Sequence, residues 1–214
     1  MISKLPSKLL LTCLATTLLF SCAPPVTFNK PQPSDTNELT KFPKRLQGHY
    51  QSLSDNSLLH LTDKMITRVY DFDYRFHLNQ LDSSNRITGD TLINLETNER
   101  DLLIREGDTL VQHIHYTDTL FLISETNVLK KFKGYYFLNL RYTEDNWQVK
   151  QLALHKGQLS IGTISTQQDI DQLKEISESA SDSLPYQFQP TKKQFKKFVK
   201  ANGFSETEAF VKTN

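Results

Sequence analysis

From about Arg45 to Ile164, apolar and polar residues alternate with period two in short runs. Leu58-Leu59-His60-Leu61, Met65 to Tyr70, Tyr74 to Leu78, Leu102-Leu103-Ile104 and Leu110 to Tyr116 are rich in branched and aromatic residues. Such side chains suit a pleated, half-buried surface. Turn-forming clusters separate the runs: Asp63-Lys64, Ser83-Ser84-Asn85, Thr97-Asn98-Glu99, Glu106-Gly107-Asp108, Glu144-Asp145-Asn146 and Lys156-Gly157. Short strands at this spacing predict a mainly β fold, an antiparallel meander, and nothing helical interrupts it to make parallel βαβ units. Period two fits a closed barrel and an open curved sheet equally well.

Two details refine the pattern. Asp90-Thr91-Leu92, Asp108-Thr109-Leu110 and Asp118-Thr119-Leu120 each lead into an apolar run, and the aspartates are expected in turns, where a carboxylate accepts nearby backbone N–H groups. Trp147 and Val149 share one parity, whereas Leu152 and Leu154 take the other. If only one face of the strand is buried, a bulge near Lys150-Gln151 is needed to reconcile them.

The last third changes period. Thr166 precedes Ile170, Leu173 and Ile176, spaced for one face of a helix. Thr191 and Gln194 form a capping box before Phe195, Phe198 and Val199, and Gly203 marks a stop. Two C-terminal helices are expected, over about 166–179 and 191–202, with a polar loop at 177–183.

The first 21 residues read as a cleaved signal. Lys4 and Lys8 are followed by a mostly apolar run from Leu9 to Phe20. That run rises only about 18 Å as a helix, against a bilayer core of roughly 30 Å. The exit, Leu19-Phe20-Ser21-Cys22, resembles the lipobox of bacterial lipoproteins. The resemblance implies cleavage before Cys22, a diacylglycerol on its thiol and usually a third acyl chain on its new amino group. Ala23 rather than Asp after the cysteine implies the outer membrane, by the sorting habit of enteric lipoproteins. Pro24, Pro25, Pro31, Pro33 and Pro43 lie among polar residues, so residues 22–43 are expected to be a semi-stiff tether reaching roughly 60–70 Å. Residues 44–214 would form a single domain, similar in general appearance to small envelope lipoproteins of Gram-negative bacteria.

Composition narrows the function. The 214 residues carry 25 basic and 24 acidic side chains, so no bulk field recruits nucleic acid. Without residues 1–21 the count falls to 23 basic against 24 acidic, and Cys13 goes with them. A lipidated Cys22 then leaves no free thiol for catalysis or metal binding. No cofactor-binding pattern is present, and no catalytic motif of the GxSxG, HExxH or phosphate-loop kind.

The remaining candidates are local. His113 and His115 lie two apart, on one face of a strand, and could supply two metal ligands. Leu110, Ile114 and Tyr116 on the opposite parity are expected to face the core. Lys192, Lys193, Lys196, Lys197 and Lys200 surround the apolar stripe of the second helix and could meet an anionic membrane or a partner protein. Asp71 with Asp73, and Glu99 with Asp101, are expected at strand ends. Gly48-His49-Tyr50 resembles the Gly-x-Trp opening of lipocalin-type barrels, with Tyr in place of Trp, and Gly134-Tyr135-Tyr136 repeats it. Two function classes lead: an accessory lipoprotein holding an envelope partner, and a lipocalin-like carrier of an apolar small molecule. An enzyme would rest on His113 and His115 alone.

Overall fold

The structure, a computed structural model, describes residues 23–213. The signal segment and Cys22 lie outside the described residues. Fifteen strands and two α-helices follow the order β1 (Val26–Phe28), β2 (Glu38–Leu39), β3 (Gly48–Ser52), β4 (Leu58–Leu61), β5 (Met65–His77), β6 (Asn85–Thr88), β7 (Thr91–Asn94), β8 (Arg100–Glu106), β9 (Thr109–Leu122), β10 (Val128–Phe132), β11 (Tyr135–Thr143), β12 (Asn146–His155), β13 (Gln158–Thr163), α1 (Gln167–Ile176), β14 (Tyr186–Phe188), α2 (Lys192–Lys200) and β15 (Glu206–Lys212). The main path of the sheet is β2-β10-β11-β12-β13-β15-β3-β4-β5-β9-β8-β7-β6. Its pairs are antiparallel and it does not close, so the open curved sheet is the correct alternative. Among the described residues, no helix is long and apolar enough to cross a membrane.

The sheet curls around one core. Leu129, Tyr136, Leu138, Leu152, Leu159, Phe210, Tyr50, Leu59 and Ile66, contributed by eight strands, share a single buried cluster. The remaining gap is bridged by the chain after β2. Phe42 donates its backbone N–H to the Asp63 carbonyl at 2.6 Å, and its ring meets Phe121 of β9 edge-on at 6.0 Å. Tyr50, the residue standing for the lipocalin tryptophan, is fully buried here and donates its hydroxyl to the Leu46 carbonyl at 2.8 Å.

A second core lies on the outer face of β11 and β12. Phe137 and Val149 join Val26, Phe28, Ile170, Leu173, Phe188, Phe195, Phe198 and Phe204 there. This explains the two parities of β12 without a bulge at Lys150-Gln151. The register from Tyr136↔Leu152 to Arg141↔Trp147 is unbroken, and the irregularity falls between Arg141 and Thr143 instead. Val149 faces one core and Leu152 the other. Both helices form where their caps foretell. Thr166 accepts from the Asp169 N–H, while Thr191 and Gln194 complete a reciprocal capping box. After α2 the chain turns through Asn202 with φ +59. Gly203 is needed for space, because a Cβ there would lie 2.0 Å from the Phe198 ring. The chain then re-enters the sheet as β15, between β13 and β3, a strand the helical tail concealed.

The expected tether is the main correction. Val26, Thr27 and Phe28 are buried as β1, which pairs parallel to β14 and meets β12 at Phe28↔Trp147. Further on, fully buried Asn139 accepts the Gln32 N–H at 2.5 Å and donates to the Gln32 carbonyl at 2.9 Å. Lys130, whose pKa is lowered by burial, donates to the carbonyls of Pro31 and Pro33 at 3.0 and 3.1 Å. Prolines keep this chain extended and remove its donors. Its carbonyls still need partners, and two side chains of the sheet supply them. Extended chain that looks like a spacer is therefore part of the fold.

Replacing Asn139 with Ala strands a buried N–H and a buried carbonyl, each costing about 1–3 kcal/mol. The expected result is a stability loss of that order in urea titration, with new proteolytic cleavage between residues 29 and 37. An unchanged midpoint would refute the stapled segment.

Candidate functional site

Three places carry the chemistry the sequence suggested or concealed. The first is the long ribbon of β5 and β9, which pair from Met65↔Leu122 to His77↔Thr109. β4 covers β5 only as far as Val69, and β8 covers β9 only over Thr109 to Gln112. Between these limits the ribbon is two strands wide. Its far end is secured by a small core of Phe76, Leu92, Leu103 and Leu110.

One face of the ribbon is a ladder of polar side chains. Asp73 lies opposite His113 and Asp71 opposite His115, with Nδ1–carboxylate distances of 3.1 and 3.2 Å. Arg75 continues it, pairing with Glu106. Asp71 and Asp73 are thus in mid-strand, not at a strand end, because β5 runs unbroken through what looked like a boundary. Asp118 is likewise inside β9, whereas Asp90 and Asp108 do sit in turns. Both imidazoles turn Nδ1 toward an aspartate. Among the described residues, no group of three or more His, Cys, Asp or Glu side chains is placed to hold a metal ion.

The other face is aromatic. Tyr70, Phe72, Tyr74 and Phe76 alternate along β5, with Ile114 and Tyr116 opposite on β9. Tyr70 stacks on Tyr116 at 4.5 Å and Tyr74 on Phe76 at 5.5 Å. Leu110 is buried as expected, but Phe72, Tyr74 and Tyr116 are 47%, 53% and 50% exposed. Alternation assigned Ile114 and Tyr116 to the core, but Ile114 is only half-buried and Tyr116 is exposed, because the ribbon runs past the described elements that enclose the cores. Cross-strand pairs such as Tyr70–Tyr116 and Asp73–His113 contribute roughly 0.2–1 kcal/mol each, which suits a ribbon with little other support.

The second place is α2. Phe195, Phe198 and Val199 are buried in the outer core, while Lys193, Lys197 and Lys200 are exposed and Lys192 and Lys196 half-buried. Lys192 donates to the Asp35 carbonyl at 3.0 Å and lies 5.7 Å over the Phe132 ring. Lys196 and Lys200 border a 320 Å³ hollow with Phe132, Lys133 and Tyr135. The aromatics are thus committed to the core, and only the lysines remain for an outside partner.

The third place was missed. Arg68 of β5 points to the inner face, where its Nε donates to Ser57 Oγ at 2.7 Å and its guanidinium pairs with Asp55 at 2.9 Å and with Glu208 of β15. Burial works against the Arg68 charge, but the Glu208 and Asp55 contacts outweigh it and raise its pKa. Burial also pushes the Asp55 carboxyl up, yet hydrogen bonds from Ser57, Ser52 and Arg68 outweigh it and hold the group at about 2. Beside this network opens a 570 Å³ cavity bordered by Leu53, Leu120, Ile161, Glu206, Glu208 and Lys150. Lys150 has its pKa lowered, chiefly by burial, and forms no ion pair within 4.0 Å among the described residues. The signal was present: Arg68 shares the parity of Ile66, and Lys150 that of Leu152, so both are charges at inward positions.

Comparison with protein-family models, with curated proteins and with solved structures gives no match, so the function is read from geometry.

Asp55 supplies a pH test. Its folded pKa lies below its ordinary value, so the stability it contributes is present above about pH 4 and is lost as pH falls toward 2. Asp55→Asn removes that dependence, and denaturation midpoints should fall less steeply across this window than in the parent protein. Identical slopes would show that the network does not hold Asp55 ionised.

Proposed function

We propose that this chain is a lipid-anchored accessory protein of the cell envelope, best described by what it presents: a surface for a partner protein, not a site for chemistry.

 The reading carries forward the lipobox resemblance of Leu19 to Cys22 and the expected outer-membrane address. The observation that supports it is the uncovered aromatic row of Phe72, Tyr74 and Tyr116.

Two features favour protein over lipid as the occupant of that row. Aromatic side chains give large contact area at low entropic cost and concentrate at the centres of protein interfaces. The ribbon also has bare edges: among the described residues, β5 beyond Val69 and β9 beyond Gln112 have each other as their only strand neighbour. Backbone groups at such an edge can be satisfied by an added strand of a partner, whereas hydrocarbon leaves them unpaired. The carrier alternative has less support. The 570 Å³ cavity has no aromatic in its lining and is bordered by Arg68, Lys150, Glu206 and Glu208, a poor match to an apolar ligand. The aromatics of the inner core are packed against one another instead.

Site-specific photocrosslinking tests the reading. A photoreactive amino acid at Phe72 in the full-length protein, expressed in its own cells, should give one discrete adduct with an envelope protein. The same probe at Leu53, exposed at the turn after β3, should not. Absence of adducts from Phe72, Tyr74 and Tyr116 alike would overturn the docking role.

A further inference from the structure

The correction of the tether has a consequence for orientation, and it rests on the lipidation of Cys22 proposed above. We infer that the domain lies directly on the bilayer, with the surface around Pro24 and the Leu184 loop as its membrane-contacting face.

The distance is set by covalent geometry. Val26 is buried in β1, Pro24 is buried just before it, and the Pro25 carbonyl accepts the Tyr186 N–H at 2.9 Å. Cys22 is three residues from Pro25, and consecutive Cα atoms are about 3.8 Å apart, so the acylated residue lies at most about 11 Å from a fixed point of the fold. A free tether of residues 22–43 would have allowed roughly six times that reach. The acyl chains must enter the bilayer at Cys22, so the nearest protein surface is held at headgroup depth.

That surface can be named from the register. β1 and β14 are parallel, with Val26↔Tyr186 and Phe28↔Phe188. Leu184 precedes Tyr186 by two residues, so its Cα lies within about 8 Å of the residue that bonds the Pro25 carbonyl. Leu184 is 65% exposed, a large apolar side chain on the loop that leads into β14. Tyr186 follows, half-buried, with the Lys174 ammonium 3.6 Å over its ring. A tyrosine with an apolar body and polar tip is suited to the interfacial region. Glu178 and Asp182 lie on the same loop, so attraction to anionic headgroups is not what holds this face down. The acyl chains hold it, and Leu184 is placed to enter the interface beside them.

The mature chain has no cysteine besides Cys22, so Leu184→Cys introduces a single free thiol into the acylated protein. The full-length variant is expressed with its signal segment, purified in detergent, labelled with a polarity-sensitive fluorophore and reconstituted into phosphatidylethanolamine–phosphatidylglycerol vesicles. Leu102→Cys on β8, at a residue 78% exposed, serves as the comparison. The expected result is a blue-shifted emission at position 184 and iodide quenching several-fold weaker than at position 102. A flexible ten-residue insertion between Ala23 and Pro24 should restore quenching at position 184 without removing the protein from vesicles. Equal quenching at 184 and 102 in vesicle-bound, acylated protein overturns the orientation while leaving the lipid anchor in place. A vesicle-free protein whose mass shows no acyl chains overturns the anchor itself, and the orientation falls with it.

Discussion

The structure depends on the burial of β11 and β12 on both faces. A strand with one wet face needs a single apolar parity, but here Tyr136 and Leu138 face the inner core while Phe137 between them faces the outer one. The inner face is covered by the curl of the sheet itself. The outer face has no second sheet, so it is covered by α1, α2, β14 and the N-terminal strand β1. Each fully buried phenylalanine contributes about 1.5–3 kcal/mol, and Phe28, Phe137, Phe188, Phe195 and Phe198 all lie in this outer layer. Removing any one covering element would expose the others. The order of the chain therefore matters less than its closure: the first described strand and the last helix meet on the same patch, Phe28 and Phe195 packing edge-on at 6.2 Å.

The same constraint explains where the fold stops. Two cores use the covering elements near β11 and β12, and among the described residues no element is left for the stretch of β5 and β9 that runs past β4. That ribbon is held by what its own strands can offer, stacked tyrosines on one face and aspartate–histidine pairs on the other. A two-stranded ribbon is marginal alone, and here it is secured at both ends, by the inner core and by the Phe76–Leu110 cluster. An aromatic face held in place in this way is ready for a partner without first having to order itself, which lowers the entropic cost of association.

Much of this was legible in the sequence. Period two located the strands from Leu58 to Tyr116, and the caps at Thr166 and Thr191 located the helices, because both signals are local. What escaped was long-range. Nothing near Pro31 or Pro33 in the sequence indicates that Lys130 and Asn139, about a hundred residues away, will satisfy their neighbourhood. Val26-Thr27-Phe28 is too short to announce a strand by itself. Parity also misled where its premise failed: Val149 and Leu152 seemed to need a bulge only if one face was buried, and Tyr116 seemed to belong to the core only if its strand stayed under cover. For the candidate sites, the histidines and the lysines of α2 were named from sequence, but the Asp71 and Asp73 partners and the aromatic row required the register of β5 against β9, and the Arg68 network required Glu208 of β15 to reach across the curl of the sheet.

Amide hydrogen exchange of the N-terminal segment tests the central claim most directly. Asn29 donates its N–H to the Phe188 carbonyl at 3.1 Å and Gln32 to Asn139 at 2.5 Å. If residues 23–43 are a structural element of the domain, these two amides exchange as slowly as those of Leu138 and Leu152, opening only with the whole fold. Exchange at the rate of an unprotected chain would make the segment a tether after all, and would remove both the second core and the membrane-seated orientation that follows from it.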